Sequence, residues 1–284
     1  ALGFGLCALL PLRKRRLLLA EPLSDEAHFE LLFDAGRFHQ AVREHRLLVG
    51  SDGSQQSLKP DLAMKLEMAN HMASVFDLIR RDLGEGIGNK VIEVSHKPTA
   101  QSWQERGFDD CSGDNKDGVT CWLKIDSLAQ RSTFCLDIPN VPVSTLDLLS
   151  LITEVQDAKN WFPFCRKSSA VHVLPGPLPL VRIFDVEVGV QVFSIETIFV
   201  MAVEDQLEER GCIAIYMFSP PEHVMRSPTP TNWMGAEIPA LPSGMLNFRL
   251  PWEYQRLCFY PESEGKCRLK CDVKVIDLIP PIGP

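Results

Sequence analysis

The sequence predicts an α+β protein, a helical N-terminal region followed by a large antiparallel sheet. Three patterns point there. Residues 61–83 place Leu62, Leu66, Ala69, Met72, Phe76, Ile79 and Leu83 at spacings of three and four, with Lys65, Glu67, Arg80 and Asp82 elsewhere on the wheel. That is one amphipathic helix of about six turns. Further on, Phe184, Val186, Val188, Val190 and Val192 alternate with Asp185, Glu187, Gly189 and Gln191, the period of a half-buried strand with one wet face. Near the end, "KCRLKCDVKV" sends Cys267, Leu269, Cys271, Val273 and Val275 one way, and Lys266, Arg268, Lys270, Asp272 and Lys274 the other.

The elements follow in chain order. The opening "ALGFGLCALLPLRKRRLLLA" carries a short apolar run broken by Pro11 and followed by Arg13, Lys14, Arg15 and Arg16. The run is too short to span a bilayer. It reads either as the end of a membrane anchor or signal that begins upstream, or as a frayed terminus. Residues 24–49 start with Ser24 as an N-cap and acidic residues in the first turn, and Gly36 divides them into two short helices. In "AGRFHQAVREHRLL" Gly36 sits at the turn, Phe38 packs back, Ala41 permits close approach and His45 takes an aromatic's place. This segment resembles half of a tetratricopeptide repeat, in a single copy where an array needs about three. Residues 50–57 and 84–118 are polar, glycine-bearing linkers.

From Val119 the texture becomes β. "VTCWLKID" and "STFCLDIPNV" read as two strands joined by a polar turn. Ser144 caps a helix, with Asp147 three residues on and Leu148, Leu149, Ile152 and Val155 as its apolar face. That helix is expected to run into "EVQDAKNWFPFC" and stop at a knot of Trp161, Phe162, Pro163 and Phe164. "IETIFVMAVE" and "CIAIYMFSP" follow as strands around an acidic turn at 208–211, the second apolar on both alternations, and then "GMLNFRL", "YQRLCFY" and the final alternating strand.

Composition bounds the function. With 45% hydrophobic and 23% charged residues the chain can bury a core. Its 37 acidic against 29 basic residues, a net charge of -8, argue against a nucleic-acid partner, which needs clustered Lys and Arg. Nine cysteines without a CxxC spacing fit a reducing compartment and mostly buried thiols. Cys267 and Cys271 share a strand face but lie about 13 Å apart at ordinary rise, too far for one metal. "CSGDNKDG" at 111–118 lacks the calcium-loop pattern and its distal Glu, so no metal and no cofactor is expected. Seven scattered histidines, with no GxSxG, HExxH, phosphate-loop or dinucleotide signature, leave no legible catalytic centre. His71, on an amphipathic helix, is given no ligand role.

The order of strand, strand, helix, aromatic knot and long antiparallel strands resembles the helix-grip fold of StAR-related lipid-transfer (START) domains and their polyketide-cyclase-like relatives. "CLDIPNVPVSTLDLLSLITEVQDAKNWFPFCRKSSAVHVL" and "GKCRLKCDVKVIDLIPPIGP" carry it, with Trp161, Phe162 and Pro163 matching the family's Trp-x-Pro helix stop. The resemblance implies a strongly curved sheet around a long C-terminal helix, enclosing a tunnel for a sterol, phospholipid, ceramide or similar molecule. The family's Arg-Asp dipeptide is replaced by Glu196 and Thr197, so its polar handle does not carry over. The chain ends where the family's long helix would start, so a C-terminally truncated domain is expected.

The expected organisation is an unassigned segment at 1–23, a helical region at 24–84, a linker at 85–114 and a lipid-binding domain at 115–284. The expected function is non-enzymatic binding or transfer of an apolar molecule, lined by Trp161, Phe162, Phe164, Phe184, Val186, Val188, Phe199, Met201, Tyr216 and Phe248. The alternatives are a cyclase or hydratase on the same fold, using Glu187, Glu196, Arg182 and His172, or a scaffold that engages a partner protein through its N-terminal helices. A cytoplasmic setting with transient membrane contact completes the expectation.

Overall fold

The computed structural model describes residues 24–49, 60–83, 104, 109–112, 117–126, 128–129, 131–160, 164–173, 181–190, 193–242, 247–251, 253–263 and 265–276. Three helices come first: α1 (Asp25–Asp34), α2 (Phe38–Val49) and α3 (Pro60–Asp82). The Ser24 hydroxyl accepts from the Ala27 amide at 3.3 Å, as an N-cap should. Between α1 and α2 the chain turns at Gly36, whose φ of +70° suits a residue without a Cβ. The expected packing of the hairpin is present. Phe38 and Ala41 are fully buried, and His45 stands edge-on to Phe29 at 5.8 Å. On α3 the predicted stripe is the buried one, from Leu62 through Phe76 and Ile79 to Leu83.

Nine strands form a continuous path: β1 (Asp109–Asp110), β2 (Thr120–Asp126), β3 (Arg131–Val141), β4 (Cys165–Val173), β5 (Val181–Val190), β6 (Phe193–Gln206), β7 (Cys212–Phe218), β11 (Tyr254–Ser263) and β12 (Lys266–Ile276). Between β7 and β11 lie β8 (Thr231–Trp233) and β9 (Ala236–Ile238), a separate two-stranded ribbon, and β10 (Asn247–Arg249). The sheet runs β1-β2-β3-β12-β11-β7-β6-β5-β4. Every pairing along it is antiparallel, so the last hairpin is zipped between the first strands and the middle ones. β10 runs parallel to the first half of β6, where β7 no longer reaches, and the Leu250 amide continues that edge onto the Glu196 carbonyl at 2.9 Å. This α+β layout agrees with the helix-grip expectation.

The short helix α4 (Thr145–Thr153) links β3 to β4. Its cap forms as the sequence suggests: Ser144 Oγ accepts from the Asp147 amide at 3.1 Å and donates to the Asp147 carboxylate at 2.6 Å. The helix is shorter than its apolar pattern. Thr153 turns its hydroxyl back onto the Leu149 carbonyl at 2.9 Å, competing with the next helical bond, and a 3-10 turn over Val155–Asn160 takes over. Trp161, Phe162 and Pro163 lie outside the described residues.

The strand expected to have a wet face, β5, does not have one, and on β12 one polar position is buried. On β5 both alternations are buried, with Ile183 and Asp185 each 3% exposed beside Phe184 and Val186. On β12 Asp272 is buried, because Arg256 directly opposite it on β11 donates to its carboxylate at 2.9 and 2.6 Å. A charge on a polar alternation is thus buried when its cross-strand neighbour pairs with it.

Candidate apolar binding face

Register sorts the sheet into two faces. One carries Ile183, Val200, Tyr216 and Phe218 and meets the helices; the other carries Phe184, Phe199, Met201, Ile215 and Met217.

The helix-covered face is held by rings and charges. Phe76 of α3 stacks on Tyr216 of β7 at 3.8 Å and 15°, and His71 lies against Phe218 and Trp233. Beside the stack, Arg80 donates to the Glu204 carboxylate at 2.8 Å and to the Tyr216 hydroxyl at 3.4 Å. His39 bridges Glu204 at 3.0 Å and Asp77 at 2.9 Å. Burial alone would lower the His39 pKa, but the hydrogen bond and charge of Glu204 outweigh it and raise the value. Glu204 is fully enclosed, which would raise its pKa, yet His39 and Arg80 hold it below the usual range. Two more ties fix α2 and α3: Arg37 to Asp205 at 3.3 Å, and the Tyr254 hydroxyl to Asp82 at 2.8 Å. The sequence pattern placed Arg80 and Asp82 away from the apolar stripe, and their partners are far along the chain.

The opposite face has a different chemistry. Phe184 sits across from Phe199 with ring centres 5.7 Å apart, Val186 across from Thr197, and Val188 across from Ile195. Met201 meets Met217, and Ile215, Leu257 and Cys271 lie in one row across β7, β11 and β12. Phe259 and Leu269 form the row beside it. From α4 and the 3-10 turn, Leu148, Leu149, Ile152, Val155 and Ala158 pack onto this surface. None of these side chains is an acid or a base. Among them the hydroxyl of Thr197, a residue only 8% exposed, has no hydrogen-bond partner. The neighbouring Ser168 hydroxyl, by contrast, donates to the Val155 carbonyl.

Of the residues expected to line a cavity, Phe184, Val186, Val188, Phe199 and Met201 come together on this face. Tyr216 does not join them; it belongs to the helix side, where its hydroxyl serves Arg80 and Gln206. Phe164 is 76% exposed with φ +66° at the start of β4. Phe248 lies on β10 alongside Ile195, its side chain outside the described set. Trp161 and Phe162 are outside it too. Ile215 and Met217 were missed, since "CIAIYMF" is apolar on both alternations and only register assigns its faces; Leu257, Phe259 and Leu269 lie on the same face but were not among the expected lining residues. Of the acids considered for catalysis, Glu187 and Glu196 pair across β5 and β6 on the helix side, and Glu196 is bound by Arg249 at 2.6 Å. The side chains of His172 and Arg182 are outside the described set.

No family model matches the chain, and no curated protein matches it. Among solved structures it is similar to human StAR-related lipid transfer protein 5, at 11% identity and TM-score 0.47, covering 76% of this chain and 86% of that one. Human STARD10 follows at 10% and 0.46, covering 68% and 72%. The human StarD13 lipid transfer and protein localization domain gives 13% and 0.44, covering 64% and 84%. With each of these TM-scores below 0.5, the functional reading rests on the chain's own geometry.

Proposed function

We propose that this chain binds a lipid-like molecule, without chemical conversion, on the sheet face that carries Phe184, Val186, Val188, Phe199 and Met201. The carrying observation is the composition of that face. Apolar side chains continue from β5 to β12, and among them the buried hydroxyl of Thr197 is left without a partner. An unpaired buried hydroxyl costs about 1–3 kcal/mol. A ligand that supplies a hydrogen-bonding group at Thr197 removes this penalty, while its hydrocarbon body gains about 25 cal/mol for each Å² withdrawn from water. The reading therefore favours a lipid that places a hydroxyl or carbonyl at Thr197; the register also sets Arg182 opposite Met201 on this face. The binding domain spans 115–284, with the helical region 24–84 as its back, in a cytoplasmic setting with transient membrane contact for loading.

The test is titration of the protein with a fluorescent sterol and a fluorescent phosphatidylcholine, for the native chain and for Met201→Glu. Saturable one-to-one binding of the sterol, abolished by Met201→Glu in a protein that still unfolds cooperatively, is expected. Equal binding by both proteins overturns the assignment of this face.

A further inference from the structure

The cysteines are not uniformly inert. Cys135, Cys212, Cys258 and Cys267 are buried and Cys165 and Cys271 half-buried, whereas Cys111 is exposed and Cys121 half-buried beside it. These two face each other. The antiparallel register sets Asp109 opposite Leu123 and Asp110 opposite Trp122, which brings Cys111 opposite Cys121, and the Cys111 amide donates to the Cys121 carbonyl at 2.9 Å. The Ser112 hydroxyl accepts from the Cys121 amide at 2.9 Å, and the Asp110 carboxylate fixes the Ser112 amide at 2.9 Å. The two thiol sulfurs lie 2.9 Å apart. Directly opposed residues of an antiparallel pair have Cα atoms about 4.5–5.5 Å apart, inside the span a disulfide bridges.

We propose that Cys111 and Cys121 form a dithiol–disulfide pair oxidised by hydrogen peroxide. Cys111, the exposed partner, attacks the peroxide oxygen as its thiolate. The O–O bond breaks, and hydroxide leaves and takes up a proton as water, giving a sulfenic acid at Cys111. Cys121 then attacks that sulfur, the S–O bond breaks, and a second water departs. Two thiols are oxidised to one disulfide while the peroxide is reduced to two waters. The division of labour fits the surroundings: burial and then the Cys111 thiol push the Cys121 pKa up to about 11, which keeps it protonated and slow towards peroxide until the sulfenic acid forms beside it. The buried thiols lie out of reach of the oxidant.

The product covalently holds the short edge strand β1 to β2. A transient, sensing disulfide of this kind is compatible with a reducing compartment, and low-molecular-weight thiols would reverse it by exchange.

The test treats the whole reduced chain with one equivalent of hydrogen peroxide, alkylates the remaining thiols and maps them by peptide mass spectrometry. Expected is a 111–121 linkage two hydrogens lighter than the dithiol, reversed by dithiothreitol. It should be absent in Cys111→Ser, and replaced in Cys121→Ser by a sulfenic acid at Cys111 that dimedone traps. Amide exchange at 109–112 should slow on oxidation of the native chain alone. Full alkylation of both cysteines after peroxide, or pairing of either with another cysteine, would overturn the proposal.

Discussion

The two faces of this sheet are both apolar at their centres, yet they differ in how their polar groups are matched. On the helix side each charge at the heart of the contact finds a partner: Arg80 with Glu204, His39 between Glu204 and Asp77, Asp82 with Tyr254. Those bonds work at one docking geometry only, so they set the orientation of α2 and α3. On the other face the hydroxyls of Thr197 and, on α4, Thr145 are buried without a partner, and the surroundings are aliphatic and aromatic. Directional pairing suits a permanent layer of the protein itself. An apolar surface with a free hydroxyl at Thr197 suits a guest that can be exchanged.

The largest effect should come from breaking the helix-side network. Arg80→Met leaves the buried Glu204 without its strongest cation, which costs about 3–5 kcal/mol; a shift of the urea midpoint worth less than about 1 kcal/mol would remove this pair from the account. Next comes pH. His39, with its pKa raised above the ordinary value of about 6.5, contributes stability fully below that value, and the contribution disappears as pH rises through its folded-state pKa. Glu204, with its pKa lowered, contributes above about 4.5 and loses that contribution as pH falls through its folded-state value. The native chain should therefore lose stability above pH ~6.5, while His39→Gln should stay flatter. Parallel curves would show that His39 does not titrate as described.

Smaller effects should distinguish the guest face. Thr197→Val removes an unpaired hydroxyl at constant shape, so stability in the absence of ligand should rise by up to about 1 kcal/mol, with weaker binding of a hydroxyl-bearing ligand. A loss of stability instead would mean that the hydroxyl has a protein partner. Smallest of all should be Phe199→Trp. Overpacking a filled core costs about 1–3 kcal/mol, and a surface with room for a guest should yield for less than about 1 kcal/mol in the ligand-free chain.

Much of this division was legible in the sequence, for physical reasons. The stripe from Leu62 to Leu83 obeys the helical period, and the alternation from Phe184 to Val188 obeys the strand period, so both elements and their apolar sides could be read directly. The Ser144–Asp147 cap was readable because its partners are three residues apart. What failed was everything that depends on distant pairing. Asp185, Arg80, Asp272 and Glu204 are polar letters that alternation sends to solvent or leaves unassigned; each is buried or half-buried beside an oppositely charged side chain from another element. Tyr216 was grouped with the wrong face because both alternations of β7 are apolar. The end of α4 at Thr153 was missed because the apolar pattern continues to Val155 while the backbone does not.

The central claim is that the Phe184–Phe199–Met201 face holds an exchangeable lipid. It is tested most directly by native mass spectrometry of the chain purified from a eukaryotic host, followed by organic extraction and identification of what is released on denaturation. The account predicts a one-to-one complex with a lipid bearing a hydroxyl or carbonyl, lost in Met201→Glu. A folded, monodisperse protein that carries no lipid, and takes up none from vesicles containing sterol and ceramide, would contradict it.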